Sequence, residues 1–117
     1  KIAWLQDALG ASRATALGMM VKWPGIFTCS IERNLQPTLD FFRGDLDGGL
    51  EEVRKAVASS PRLLGASIEK RMRPRAARML EEVGVVATFS EHRWDLACRT
   101  DAMFEEWLRH LATRSKV

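Results

Sequence analysis

The sequence predicts an all-α chain, a right- or left-handed superhelical solenoid of repeated helical units with essentially no sheet. Three observations predict it. First, the chain matches itself without a gap at an offset of 37 residues: P-G-I-F-T-C-S-I-E-R-N-L-Q-P (Pro24–Pro37) against P-R-L-L-G-A-S-I-E-K-R-M-R-P (Pro61–Pro74), with five identities in fourteen positions. Self-similarity at a period of this size is the mark of a repeat architecture. Second, apolar residues recur at helical spacing. Third, proline, serine and glycine stand where helices would stop and start, and no segment alternates with a strand period.

The elements follow in order. Ile2, Leu5 and Leu9 make an apolar face that Gly10 closes as a C-cap. Leu17, Met20 and Val21 repeat that face, as do Leu50, Val53 and Val57. Pro24 and Pro61 end those helices, because proline lacks an N–H and clashes with the preceding turn. Ser30 and Ser67 then offer N-caps for a second helix. Pro37 and Pro74 fall well inside it, so it should kink or restart there. The register also relates Leu5, Phe42 and Met79, and Leu9, Leu46 and Val83; Gly10 and Gly84 agree, with Asp47 between them. Gly48-Gly49 reads as a flexible joint. The organisation is therefore repeats over 1–84 (a partial unit 1–10, units 11–47 and 48–84), followed by C-terminal capping helices over 85–117, where Cys98 stands in place of a third proline. Asp101 to Leu111 reads as an amphipathic helix capped by Thr100 or Asp101, its outer side ending in Arg109, His110, Arg114 and Lys116. Roughly three units are usually needed for a stable array, so two and a fraction favour a piece of a longer array or a chain held on a large partner.

Composition narrows the function. With 46% hydrophobic residues among 117 the chain can bury a core, and a net charge of +3 is compatible with nucleic acid without establishing it. Cys29 and Cys98 have no CxxC partner and read as reduced, partly buried thiols; a disulfide between them stays open, a disulfide scaffold does not. His92 and His110 lack metal-ligand spacing with either cysteine, so no metal and no cofactor is expected. No apolar run approaches the ~18 residues that span a membrane, and no signal peptide is present; opening at Lys1 reads as a mature or truncated product. Without a phosphate loop, a nucleophile elbow or paired carboxylates beyond surface Glu-Glu steps, an enzyme is not expected.

P-R-L-L-G-A-S-I-E-K-R-M-R-P-R-A-A-R-M-L-E-E-V-G, Pro61 to Gly84, resembles the repeat of the mitochondrial transcription termination factor (mTERF) family: a proline closing one helix, two aliphatics, a serine, and a second proline opening a helix that ends in an apolar-Gly step. Pro24 to Phe42 is similar, with Asp47 in place of the terminal glycine, and Thr100 to Phe104 resembles a closing motif of the family. The resemblance implies a curved solenoid in mitochondria, or alternatively chloroplasts, acting on organellar DNA or RNA in transcription termination, RNA processing or ribosome function. Structural binding of ribosomal RNA in an organellar ribosome and a protein–protein scaffold are the alternatives.

The binding chemistry is expected on the second helix of each unit. Lys70, Arg71, Arg73, Arg75 and Arg78 form a run without an acid, and Arg71, Arg75 and Arg78 fall on one stripe. Guanidinium forks suit phosphate oxygens. Arg33 is the weaker counterpart in the preceding unit, and Asn34 stands where the next unit has Arg71. Arg78 could instead pair with Glu82. Met72, Ala76, Met79, Leu80 and Val83 read as core, as do Trp4, Trp94 and Trp107; Trp23 packs at a joint or lies exposed.

Overall fold

The computed structural model describes residues 1–115; Lys116 and Val117 lie outside the described residues, as does the side chain of Arg114. Among the described residues, seven α-helices account for most of the chain: α1 (Ile2–Leu9), α2 (Arg13–Lys22), α3 (Gln36–Arg43), α4 (Leu50–Ser59), α5 (Arg73–Val83), α6 (Phe89–Ala97) and α7 (Asp101–Ser115). Among the described residues there is no strand. The molecule is elongated, 48 × 24 × 21 Å.

Each unit is built by the same local chemistry. Met19 O accepts the last helical bond of α2 from Trp23, and a 3-10 turn over Pro24–Thr28 follows; Ser60 and Pro61–Gly65 repeat this after α4. Ser30 Oγ then accepts from Arg33 N at 3.1 Å and Ser67 Oγ from Lys70 N at 3.1 Å, so both serines cap as expected. The inner prolines fall where the helix changes from one winding to another. A π turn precedes each, Ile31–Leu35 and Ile68–Met72, in which Leu35 N reaches Ser30 O and Met72 N reaches Ser67 O. The wider turn places proline at the start of the α-helical part, where its missing N–H and its ring cost least.

The unit boundaries coincide in backbone conformation. Gly10 (φ 66°), Asp47 (φ 53°) and Gly84 (φ 69°) are all left-handed, at the spacing of 37. Asp47 thus shares the conformation of its glycine counterparts, although α3 itself ends earlier, with Gly44 as its cap. Gly48 is a point of close packing rather than a flexible joint: a Cβ there would lie 2.8 Å from both Phe42 O and Val53 Cγ2.

The core runs the length of the molecule through Leu5, Leu9, Met19, Ile26, Leu35, Phe42, Val53, Val57, Leu64, Met72, Met79, Phe89, Leu96 and Phe104. Four sequence expectations about faces are corrected. On α2 the buried face is Ala16, Met19 and Met20, while Leu17 and Val21 are exposed. Leu50 and Leu80 are also exposed rather than core. Trp94 is 47% exposed. For Trp94 the reason is a slip in register. Six residues separate Gly10 from the first core residue of α2, Ala16, and six separate Asp47 from Val53, but only five separate Gly84 from Phe89. One residue turns a helix by about 100°. The slip aligns Trp94 with Val21, on the outer side. After α6, α7 follows directly and is capped by Thr100 Oγ1, which accepts from Met103 N at 3.2 Å.

Candidate nucleic-acid interface

The six cations singled out in the sequence separate into two groups. Arg33 and Lys70 occupy matching places, one unit apart, at the third residue of each capped turn. Both side chains are exposed, and neither has a carboxylate partner among the described residues. Arg71 is exposed too; its Nη1 donates to Ala97 O at 3.2 Å, and no carboxylate pairs with it among the described residues.

Arg73, Arg75 and Arg78 are engaged by partners within the chain, Arg75 buried and the other two at the surface. Arg73 bridges Asp45 (2.9 Å) and Glu69 (3.0 Å) and lies over the Phe41 ring, tying α5 to the end of the preceding unit. Arg75 is only 5% exposed. Its Nη1 donates to Asp95 O at 2.9 Å and Leu96 O at 3.3 Å, its Nη2 to Asp101 at 3.0 Å, and its guanidinium lies 4.8 Å from the Phe104 ring centre. Arg78 pairs with Glu82, as its spacing allowed, and with Glu105. The mutual attraction holds the Glu105 carboxyl below its ordinary range, chiefly through the hydrogen bond from Arg78. The expected open stripe of Arg71, Arg75 and Arg78 is thus corrected: Arg75 is buried beneath α6 and α7, Arg78 is half-exposed but paired with two carboxylates, and Arg71 is exposed without a carboxylate partner among the described residues.

Asn34 also differs from expectation. Its Oδ1 accepts from Ser30 N at 2.9 Å, closing the cap reciprocally with the Ser30–Arg33 bond. This leaves its amide N–H groups for any outside partner.

A shallow groove joins the free cations. One depression of about 400 Å³ is lined by Arg33, Asn34, Gly65, Ala66 and Glu69, and an adjoining one of about 280 Å³ by Trp23, Arg62, Gly65, Ala66, Arg71 and Cys98. Trp23 forms its floor: a Cβ on Gly65 would stand 2.6 Å from the Trp23 ring, so this tryptophan packs at the joint between units. Arg62, which sequence reasoning passed over, is exposed on the second 3-10 turn and lies 5.1 Å from the Trp94 ring centre. Its signal was small, an arginine where the preceding unit has Gly25. Cys98 sits half-buried among Arg62, Arg71 and Arg75; burial pushes its thiol up against the pull of those charges. It is a thiol and not a thiolate at neutral pH, and Cys29 and Cys98 are both free.

A wider depression, about 810 Å³ between α4 and α6, is a poorer seat for a polyanion because Glu51, Glu52 and Glu91 line it. Among the described residues no cluster of His, Cys, Asp or Glu could hold a metal ion, and no helix is long and apolar enough to cross a membrane.

The family model that matches the chain is mTERF, over residues 2–105. No curated protein and no solved structure shows a significant match.

Proposed function

The chain belongs to the mTERF family, whose members are organellar nucleic-acid-binding proteins, and on that premise we propose that it grips the phosphate backbone of organellar DNA or RNA along the groove of Arg33, Arg62 and Arg71, with Lys70 beside it. The observation that carries this is the sorting of the cations. Those on the outer turns have no carboxylate partner among the described residues, whereas Arg73, Arg75 and Arg78 are spent on internal acids and carbonyls. A backbone grip positions a nucleic acid without reading much of its sequence. The chain is thus a clamp rather than an enzyme, one section of a curved solenoid, serving transcription termination, RNA processing or ribosome function in the mitochondrion, with the chloroplast as the other compartment.

Replacing Arg33, Arg62 and Arg71 by Glu tests this. Helicity by circular dichroism should be unchanged, and retention of nucleic acid at moderate salt should be lost. Milder Ala replacements should reduce the slope of log affinity against log salt by roughly 2.1–2.7, since each of the three phosphate contacts contributes roughly 0.7–0.9. An unaltered slope sinks the proposal.

A protein–protein scaffold is the second reading, favoured by one feature: Leu80 and Val86, 54% and 68% exposed, border a depression of about 260 Å³ beside Phe41 and Ala76. Binding through that apolar surface would survive salt that releases phosphate contacts.

A further inference from the structure

The depression of about 400 Å³ at one end of the groove has a lining that a plain phosphate seat would lack. Arg33 stands on its wall, but so do the neutral Asn34 and, from the next unit, the acid Glu69. A carboxylate repels a phosphate, so an acid in the path of a polyanion calls for a part of the ligand that carries no charge. Both groups are held by bonds within the chain. The backbone N–H of Ser30 needs an acceptor, and the side-chain oxygen of Asn34 meets it at 2.9 Å, which settles which end of the amide donates. Asn34 is exposed, and its two amide N–H donors have no partner among the described residues. Glu69 accepts from Arg73 Nε at 3.0 Å through Oε1, and its Oε2 has no partner among the described residues. One depression therefore presents a donor and an acceptor, each with a capacity unused.

We propose that Asn34 and Glu69 form a seat for one ribose 2′-hydroxyl, which makes the groove selective for RNA over DNA. A hydroxyl carries no charge and both gives and takes a hydrogen bond. In a nucleic-acid backbone the 2′-hydroxyl is the group that separates the two sugars. It donates to Glu69 Oε2 and accepts from Asn34 Nδ2. The contacts follow the groove, with one phosphate at Arg33, the sugar between, and the next phosphate beyond Gly65 and Ala66, where Arg62 and Arg71 line the adjoining depression. This rests on the phosphate-grip reading and adds to it the class of nucleic acid. A deoxyribose would leave the Glu69 carboxylate beside phosphates with no hydroxyl to bond, so the acid acts against DNA as well as for RNA. The following unit cannot repeat the seat, because Arg71 stands there in the place of Asn34.

The test compares labelled single-stranded RNA, DNA of the same sequence, and the 2′-O-methyl form of the RNA, which cannot donate from that oxygen, by fluorescence anisotropy. The unsubstituted chain should bind RNA roughly tenfold more tightly than DNA, with the 2′-O-methyl strand close to DNA. Asn34→Asp keeps the acceptor for Ser30 N–H and removes the donors. Glu69→Ala removes the acceptor, while Arg73 keeps its bridge to Asp45. In each variant the preference for RNA should vanish, and Glu69→Ala should achieve this partly by strengthening DNA binding. A merely structural role would weaken both nucleic acids alike and leave the preference standing. Equal binding of RNA and DNA by the unsubstituted chain, a preference for DNA, or a preference for RNA that survives either substitution overturns the ribose seat while the phosphate grip stands. If the unsubstituted chain binds neither, the grip and the seat fall together. Both substitutions lie at the surface, so unchanged circular dichroism is expected and keeps a folding defect out of the comparison.

Discussion

Gly10, Asp47 and Gly84 show how much a single position can demand. Gly10 and Gly84 each cap a helix in the left-handed conformation and Asp47 adopts it after the turn that follows α3; that conformation costs an L-residue with a side chain roughly 1–2 kcal/mol. A Cβ on Gly84 would meet nothing within 4 Å, so the cost of Gly84→Ala is conformational alone. We expect that substitution to lower stability by about 1 kcal/mol in urea denaturation. Asp47→Gly should act the other way and raise stability by less than about 1 kcal/mol, because Asp tolerates this region better than most residues and glycine also loosens the unfolded chain. If Gly84→Ala is neutral, the left-handed turn is not what holds the unit boundary. These positions were half legible: the sequence named Gly10 and Gly84 as stops, and the conformation of Asp47 follows from the period once that is taken literally. Gly48 was not legible, since the atoms that crowd it come from Phe42, Val53 and Phe89.

At the level of elements, α7 is fastened to α5 by side chains that looked like a binding surface. Their inward aim was present in the repeat. Arg75 stands at the place of Thr38 and Arg78 at the place of Phe41, both of which are buried. Helical-wheel reasoning on α5 alone placed them outside because it could not include what packs on top. Arg75 closes the C-terminal carbonyls of α6, where a cation also suits the helix dipole. The partner Asp101 has a 96% exposed side chain and is screened by water, so the carbonyl bonds and the Phe104 contact matter more than the ion pair. Arg75→Ala should therefore cost about 2–4 kcal/mol, as it leaves buried acceptors unmet. Arg75→Lys should rescue little, because one ammonium on a flexible stem cannot reproduce the fork. A loss below 1 kcal/mol would mean that α7 is held by its apolar face alone. The bridge from Arg78 to Glu105 sets a pH dependence. The folded state depresses the Glu105 carboxyl, so its stabilising effect is complete above the ordinary glutamate range, about 4.3, and is lost as pH falls through the lower folded value. Glu105→Gln should make thermal stability fall less steeply between about pH 5 and 3 than in the unsubstituted chain; parallel curves would show that the bridge contributes nothing.

For the whole molecule, the period and the kinds of element were readable because caps and breakers act within a few residues of themselves. Serine caps, proline stops and the spacing of 37 needed no knowledge of tertiary contacts. What neighbours decide was not readable. Phe27 is 60% exposed whereas its register mate Leu64 is fully buried, because the first unit lies over Leu64 and none lies over Phe27 among the described residues. The slip before α6 was equally hidden, and it can be reversed. Inserting one alanine between Gly84 and Phe89 should swing Phe89 out of the core and cost about 3 kcal/mol or more, read as a fall in melting temperature. Unchanged stability would mean that the loop absorbs the extra residue without turning the helix. The slip also bears on how such proteins change over generations. Losing a single codon from one connection re-aims every side chain on the following helix at once, so a tandem gene can convert packing into surface chemistry in one event, without altering any of the residues concerned.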